Sequence, residues 1–226
     1  MGGIELVVFD FDGTLAETRL AVSDTINAAL LAHELPRVSP AFIHRLMGLP
    51  LEQLIDRMLP PPLRPYDAGP LVRWYRQHFE EIGAPTVRPM PGAERALDAL
   101  AARGVAAAIA TSRESSSLRG LLRAFGWEGR FVACITCDQV SHGKPHPETL
   151  RRALDAAGVH ADRACMVGDT VWDMQMAVDG GVRAWGFSGG CHAADKLTGA
   201  GAERVLGELE ELVTLFGADA PGLSDG

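Results

Sequence analysis

Nowhere does this chain of 226 residues approach the roughly 20 consecutive apolar residues that a membrane-spanning helix requires, so no membrane partner is expected. Positive charge is in deficit. With 21 Lys and Arg against 29 Asp and Glu, the formal net charge of -8 argues against a nucleic-acid backbone or an anionic lipid surface as the main partner, since both attract basic faces. An anionic small molecule stays compatible, provided a local cation offsets the acids. Cysteine is sparse and scattered, at Cys134, Cys137, Cys165 and Cys191, which suits reduced thiols in a cytoplasmic protein better than a disulfide framework. Cys134 and Cys137 form a C-x-x-C, yet neither a second pair nor a nearby histidine pair completes a zinc site. The opening "MGGIELVVFD" has no basic region and meets an aspartate after a short apolar run, so neither a signal peptide nor an anchor is expected there. There is no internal repeat.

What the chain has in abundance is apolar residues, 47% of the total, enough for a continuous core. Strand-length apolar runs recur as "LVVF" at 6–9, "VAAAIA" at 105–110, "FVACIT" at 131–136, "ACMV" at 164–167 and "RAWGF" at 183–187. They are continuous rather than alternating, as strands covered on both faces are. Helix-period segments separate the later runs. One carries Ala93, Ala96, Leu97 and Leu100 on a single stripe, another Leu150, Ala153, Leu154 and Ala157, and Gly104 and Gly158 stand where C-terminal caps belong. This alternation predicts an α/β fold with a doubly wound, parallel, Rossmann-like sheet.

The first strand breaks the rhythm. A parallel crossover needs only about a dozen residues, far fewer than lie between Phe9 and Val105. Within the gap, Val22, Ile26, Ala29 and Leu30 keep helical spacing over 18–33, Ser39 has the chemistry of an N-cap, and 51–59 and 67–81 are further helix candidates. "LPPPLRP" at 59–65 punctuates them, and "GAPTVRPMPG" at 83–92 reads as a return linker. The expected organisation is a discontinuous core of 1–15 and 88–216, an all-helical insertion of 16–87, and a loose tail of 217–226. Trp74, Tyr75 and Phe79 are expected in the core of the insertion. Arg119 with Arg123 and Arg151 with Arg152 are expected on solvated helix faces. Oligomeric state is not legible in the sequence.

In an open parallel sheet, ligands bind beyond the carboxyl ends of the strands, so the polar residues just after each apolar run are the ones to inspect. The first run leads to Asp10 and Asp12, the second to Thr111 and Ser112, the segment after the third to Lys144, and the fourth to Asp169 and Asp173. Carboxylates converging at such a point suggest a hard divalent cation, and Mg2+ prefers a few such oxygens while leaving positions for water and phosphate. Lys144 and the Thr111 hydroxyl supply positive charge and hydrogen-bond donors for phosphate oxygens. The set makes an electrostatic clamp for phosphoryl transfer, in which the metal and the lysine relieve the repulsion between a carboxylate and a phosphate. Asp10 and Asp12 end the strand two residues apart and so point in one direction, while Gly13 permits the tight departure that follows.

"DFDGTLAET", the "AIATS" strand end, "GKPHPE" and "GDTVWDM" resemble the four ordered motifs of the haloacid dehalogenase-like superfamily. The likeness is to the branch with a helical cap after the first motif, which includes phosphoglycolate phosphatase and beta-phosphoglucomutase. It runs from Val7 to about Phe187. It implies that Asp10 is the nucleophile, forming an aspartyl-phosphate, and that Asp12 is the general acid and base, its backbone carbonyl also binding Mg2+. It further implies that Asp169 completes the metal ligands with Asp173 supporting, and that Thr111, Ser112 and Lys144 hold the phosphoryl group. In the cap, "HRLMGLPLEQ" at 44–53 resembles the segment lining the leaving-group side, which makes Arg45 a specificity candidate. His146 is a candidate for substrate contact, although both His142 and His146 read first as a solvated loop.

The resemblance implies an enzyme, a Mg2+-dependent phosphatase for a small phosphorylated metabolite of the phosphoglycolate or sugar-phosphate kind. Superfamily dehalogenases lack the second aspartate of the first motif, so Asp12 argues against that activity. A phosphomutase of the beta-phosphoglucomutase type shares every core residue and stays as an alternative, weakened because "LPLEQ" follows Gly48 in place of a Ser-Arg pair. A non-catalytic phosphate-binding protein is the third reading, and it predicts a damaged motif where none is seen. The linkers at 15–18 and 83–91 are expected to hinge the insertion over the site.

Overall fold

The structure is a computed structural model that describes residues 3–59 and 67–216. The expected loose tail and residues 60–65 of the proline cluster lie outside the described residues. Strand β1 (Leu6–Phe9) is buried along its whole length. Leu6 and Val8 enter one apolar layer while Val7 and Phe9 enter the other, the alternation of a strand covered on both faces. A two-residue strand β2 (Ala16–Glu17) follows. Among the described residues the chain then forms the α-helices α1 (Arg19–Ala32), α2 (Pro40–His44), α3 (Leu51–Met58) and α4 (Gly69–Ile82), and returns through β3 (Arg88–Pro89). Strands β2 and β3 pair antiparallel, and Met90 N donates to Leu15 O at 2.8 Å. The two linkers of the helical segment are therefore tied to each other, a ribbon too short to leave an apolar pattern in the sequence.

From there helix and strand alternate: α5 (Ala93–Ala102), β4 (Ala106–Ala110), α6 (Ser115–Ala124), β5 (Ala133–Ile135), α7 (Glu148–Ala157), β6 (Ala164–Gly168), α8 (Val171–Asp179), β7 (Arg183–Phe187), α9 (Ala194–Gly199), β8 (Arg204–Leu206) and α10 (Glu210–Phe216). The described residues form a parallel six-stranded sheet in the order β5-β4-β1-β6-β7-β8. This is the expected doubly wound α/β core with two differences. The run at 131–136 is strand only over Ala133–Ile135, and β8 adds a strand whose single buried residue, Leu206, offers no apolar run to read.

Helices α7, α8 and α9 cover one face through Leu150, Leu154, Met174 and Leu197. Helices α5, α6 and α10 cover the other through Leu97, Leu100, Leu121 and Phe216, in a core that continues into Ile26, Leu30, Ile55, Leu71 and Phe79 of the helical segment. Ser39 stands at the N-cap position of α2, although its side chain makes no capping bond. Gly158 caps α7 in the left-handed region. No helix among the described residues is long and apolar enough to cross a membrane.

Candidate active site

The chain leaves β1 toward β4 on one side and returns to β6 on the other, so the crevice at the carboxyl end of β1 is where sheet topology places ligands. The register pairs Phe9 with Ile109 and with Val167. Asp10, Thr111 and Asp169 consequently emerge side by side from three adjacent strands.

Asp10 is buried, and its Oδ1 accepts from Lys144 Nζ at 2.6 Å. Its Oδ2 is buried with no hydrogen-bond partner among the described residues. Lys144 reaches the site from the loop before α7, its bond to the following Pro145 being cis, and donates also to Asp173 Oδ1 at 2.7 Å. The other oxygen of Asp173 accepts from the Thr170 N–H at 3.1 Å and hydroxyl at 2.6 Å. Asp173 thereby both caps α8 and anchors the lysine. Asp169 Oδ1 accepts from Thr14 Oγ1 at 2.9 Å, and Oδ2 from Cys191 N at 2.7 Å.

Oxygens of Asp10, Asp169 and Asp173 lie within 4.8 Å of one another, all three residues buried. Among the described residues, Lys144 is the cation paired with this group, through Asp10 and Asp173. Burial pushes the Asp10 carboxyl well above its ordinary range despite the pull of Lys144, with Asp173 and Asp169 adding repulsion. Asp169 is pushed up to about 6, by burial first and by Asp173 second. Burial works to lower the Lys144 ammonium, but Asp10 and Asp173 outweigh it and hold the pKa above the ordinary value. A buried, oxygen-only group of three carboxylates with surplus negative charge fits a hard cation such as Mg2+. Two glycines make the close packing around Asp169 possible. At Gly13, with φ of 85°, a Cβ would stand 2.3 Å from Asp169 Oδ2, and at Gly190 it would stand 2.2 Å away.

Asp12 is half-buried and faces Arg113, which sequence reasoning missed. Arg113 Nε donates to Asp12 Oδ2 at 3.1 Å and Nη2 to Oδ1 at 2.5 Å, while Nη1 donates to Ser117 Oγ at 2.7 Å. The signal was present in "TSR", two residues beyond Thr111, but its partner is remote in the chain. Thr14 was also missed, although it belongs to the quoted "DGT". Thr111 is buried, and its Oγ1 accepts from Arg113 N at 3.1 Å. It is not a helix cap, since α6 begins only after Glu114. Ser112 turns toward the helical segment and donates to Gly48 O at 2.7 Å.

Asp10, Asp12, Thr111 and Ser112 open onto a cavity of about 300 Å³ whose other wall comes from the helical segment, with Val22, Met47, Leu49, Leu54, Tyr75 and Phe79. Tyr75 and Phe79 therefore line the cavity as well as filling the core. Trp74 instead stacks on His78 at 3.9 Å. Arg45 is exposed. Its guanidinium lies over the Phe42 ring at 5.1 Å on the exposed end of α2, and it does not line the cavity, where Met47, Gly48 and Leu49 stand. The segment is held down by further bonds, Arg19 Nη1 donating to Gly190 O at 2.9 Å and Arg113 lying over Phe79 at 4.5 Å.

His142 and His146 are exposed, their rings 4.6 Å apart, beside a Glu148 carboxylate that already accepts from Ser141 N, His142 N and Arg152. Cys134 and Cys137 are half-buried free thiols, each pushed up to about 11 by burial. Neither joins a metal-type cluster among the described residues.

A sequence model of the family described as haloacid dehalogenase-like hydrolase matches residues 7–187. A protein named "Probable phosphatase IndB" from Dickeya dadantii is 33% identical over 92% of this chain and 91% of its own length. A phosphoglycolate phosphatase from Rhodospirillum rubrum is 30% identical over 96% and 92%. Among solved structures, a hydrolase from Pseudomonas syringae superposes with a TM-score of 0.82 at 25% identity, covering 93% of this chain and 96% of that one.

Proposed function

The chain belongs to the haloacid dehalogenase-like hydrolases and is a phosphatase of that family; from that premise we propose that it hydrolyses a small phosphate monoester through an aspartyl-phosphate on Asp10, with Mg2+ as cofactor. In this reading residues 16–87 are a cap over a core of 1–15 and 88–216. The observation that carries it is the state of Asp10: one oxygen is held at 2.6 Å by Lys144, and the other is without a partner on a side chain that lines the cavity. A carboxylate so fixed has one oxygen free to attack.

Asp10 and Asp169, with the main-chain carbonyl of Asp12, would hold the cation, whose contribution when bound is to neutralise charge on the carboxylates and the phosphoryl oxygens. Lys144 favours the ionised form of Asp10 against its burial and offers its charge to the transferring group, and the Thr111 hydroxyl donates to a phosphoryl oxygen. Asp10 attacks phosphorus and the bond to the ester oxygen breaks. Asp12, carrying the proton it took from water in the preceding turnover and with one prong of the Arg113 fork opened, gives that oxygen its proton, so the product leaves as a neutral alcohol. Asp12 then takes a proton from water as the water oxygen attacks phosphorus, which frees inorganic phosphate and restores Asp10. The cap contacts through Gly48 and Phe79 exclude bulk water between the two transfers.

The test is turnover of para-nitrophenyl phosphate with Mg2+, alongside trapping with beryllium fluoride. The wild-type protein is expected to release phosphate and to bind the fluoride on Asp10, and Asp10→Asn to do neither. Near-normal hydrolysis by Asp10→Asn would refute the covalent route.

A further inference from the structure

Resting on that phosphatase reading, we infer that the leaving group is an uncharged alcohol with an apolar body, preferred over a carboxylate-bearing alcohol such as glycolate. The cavity holds about 300 Å³, at the lower bound of pockets that enclose a small organic ligand, roughly 300 Å³. The helical segment contributes Val22, Met47, Leu49, Leu51, Leu54 and Phe79 to its wall, beside Tyr75. The apolar side chains reward an apolar body, and the neutral hydroxyl of Tyr75 can hydrogen-bond a charged group but brings no charge to balance it.

The charges on the wall point the same way. Among the described residues lining the cavity, the cations are Arg76 and Arg113, against Asp10, Asp12, Glu80 and Glu114. Both cations are engaged. Arg113 is forked on Asp12 at 3.1 and 2.5 Å. Arg76 stands between Glu52 at 2.8 Å and Glu114 at 2.7 Å. Lys144, behind Asp10, already serves Asp10 and Asp173. A carboxylate entering as part of the leaving group meets surplus acid and has to displace Asp12 from Arg113 or a glutamate from Arg76. The first exchange strips the acid-base residue of its partner. An uncharged alcohol needs neither exchange in order to bind.

The experiment compares para-methylbenzyl phosphate with para-carboxybenzyl phosphate, esters of similar size and reactivity that differ in charge, on the Mg2+-loaded protein. The neutral ester is expected to have at least a tenfold higher kcat/KM, and phosphoglycolate to fall below it. Equal or better use of the carboxylated ester, or of phosphoglycolate, overturns the inference while leaving the phosphatase reading standing. Hydrolysis of para-nitrophenyl phosphate with no turnover of the methylbenzyl ester overturns it likewise, whereas failure on every ester sinks the reading and the inference together. A second variant tests the cause. Glu52→Gln with Glu114→Gln releases Arg76 and is expected to shift the kcat/KM ratio at least threefold toward the carboxylated ester; an unchanged ratio refutes the argument from paired cations.

Discussion

Arg113 holds Asp12 by a two-pronged contact, 3.1 Å from Nε and 2.5 Å from Nη2, while the face of the same guanidinium lies 4.5 Å from the ring centre of Phe79. One buried side chain thus links the acid-base candidate of the core to helix α4 of the helical segment, and the third arm of the group fixes it to Ser117 on α6. A planar fork orients a carboxylate in a way that a single ammonium does not.

Arg113→Lys preserves charge while losing the fork and the stacking face. Asp12 then loses its fixed orientation, and kcat is expected to fall about tenfold or more, with KM changed far less, since misplaced catalytic groups cost rate first. Arg113→Ala also leaves Asp12 without its charge partner and lowers stability by about 3 kcal/mol. Steady-state kinetics and urea unfolding measure the two effects. A Lys variant with wild-type kcat would remove Arg113 from any positioning role.

Much of this site is legible in the sequence for one physical reason: in an open parallel sheet the reactive side chains directly follow apolar runs. Asp10, Thr111 and Asp169 each stand one residue beyond a strand, so reading the strands located them. Arg113 escaped because its meaning lies in a partner 101 residues away, and an arginine after a strand otherwise reads as surface. The segment at 44–53 was legible as lining, but which of its side chains face the cavity was not, for a different reason. Met47 and Leu49 come from a turn between α2 and α3 whose direction depends on how the helices pack, and nothing in local periodicity distinguishes them from Arg45, which turns outward onto Phe42. Strand β8 was invisible because Arg204–Leu206 is short and buries a single residue, Leu206.

Lys144 faces Asp10 at 2.6 Å and Asp173 at 2.7 Å, all three buried. Removing it leaves two buried carboxylates with no cation, an arrangement that costs about 3–5 kcal/mol when one partner of a buried pair is lost. Lys144→Ala is therefore expected to lower the unfolding midpoint and, under conditions where it stays folded, to reduce kcat by about a hundredfold or more through lost charge stabilisation of the transferring group. Thermal melts separate the first effect from the second. A variant altered only in KM, with turnover intact, contradicts the role assigned to the lysine.

The carboxylate cluster also makes stability depend on pH and on metal in a defined sense. Without a cation, burial and Asp173 push Asp169 up from 3.8 to about 6, and Asp10 moves in the same direction. Across the window from about pH 4 to about pH 6 the folded protein keeps protons that the unfolded chain has released, so native-state proton binding exceeds that of the unfolded state and stability falls as pH rises. For Asp169 alone the shift corresponds to about 3 kcal/mol, reached in full above its folded pKa. A divalent cation competes with those protons and binds the ionised carboxylates, so its stabilising effect runs the opposite way and grows with pH. The expected result is that Mg2+ raises the Tm of chelator-treated protein more at about pH 7.5 than at about pH 5, and that Asp169→Asn removes most of the increment. An increment equal at both pH values, or undiminished in the Asn variant, would mean that the cation binds elsewhere than among Asp10, Asp169 and the carbonyl of Asp12.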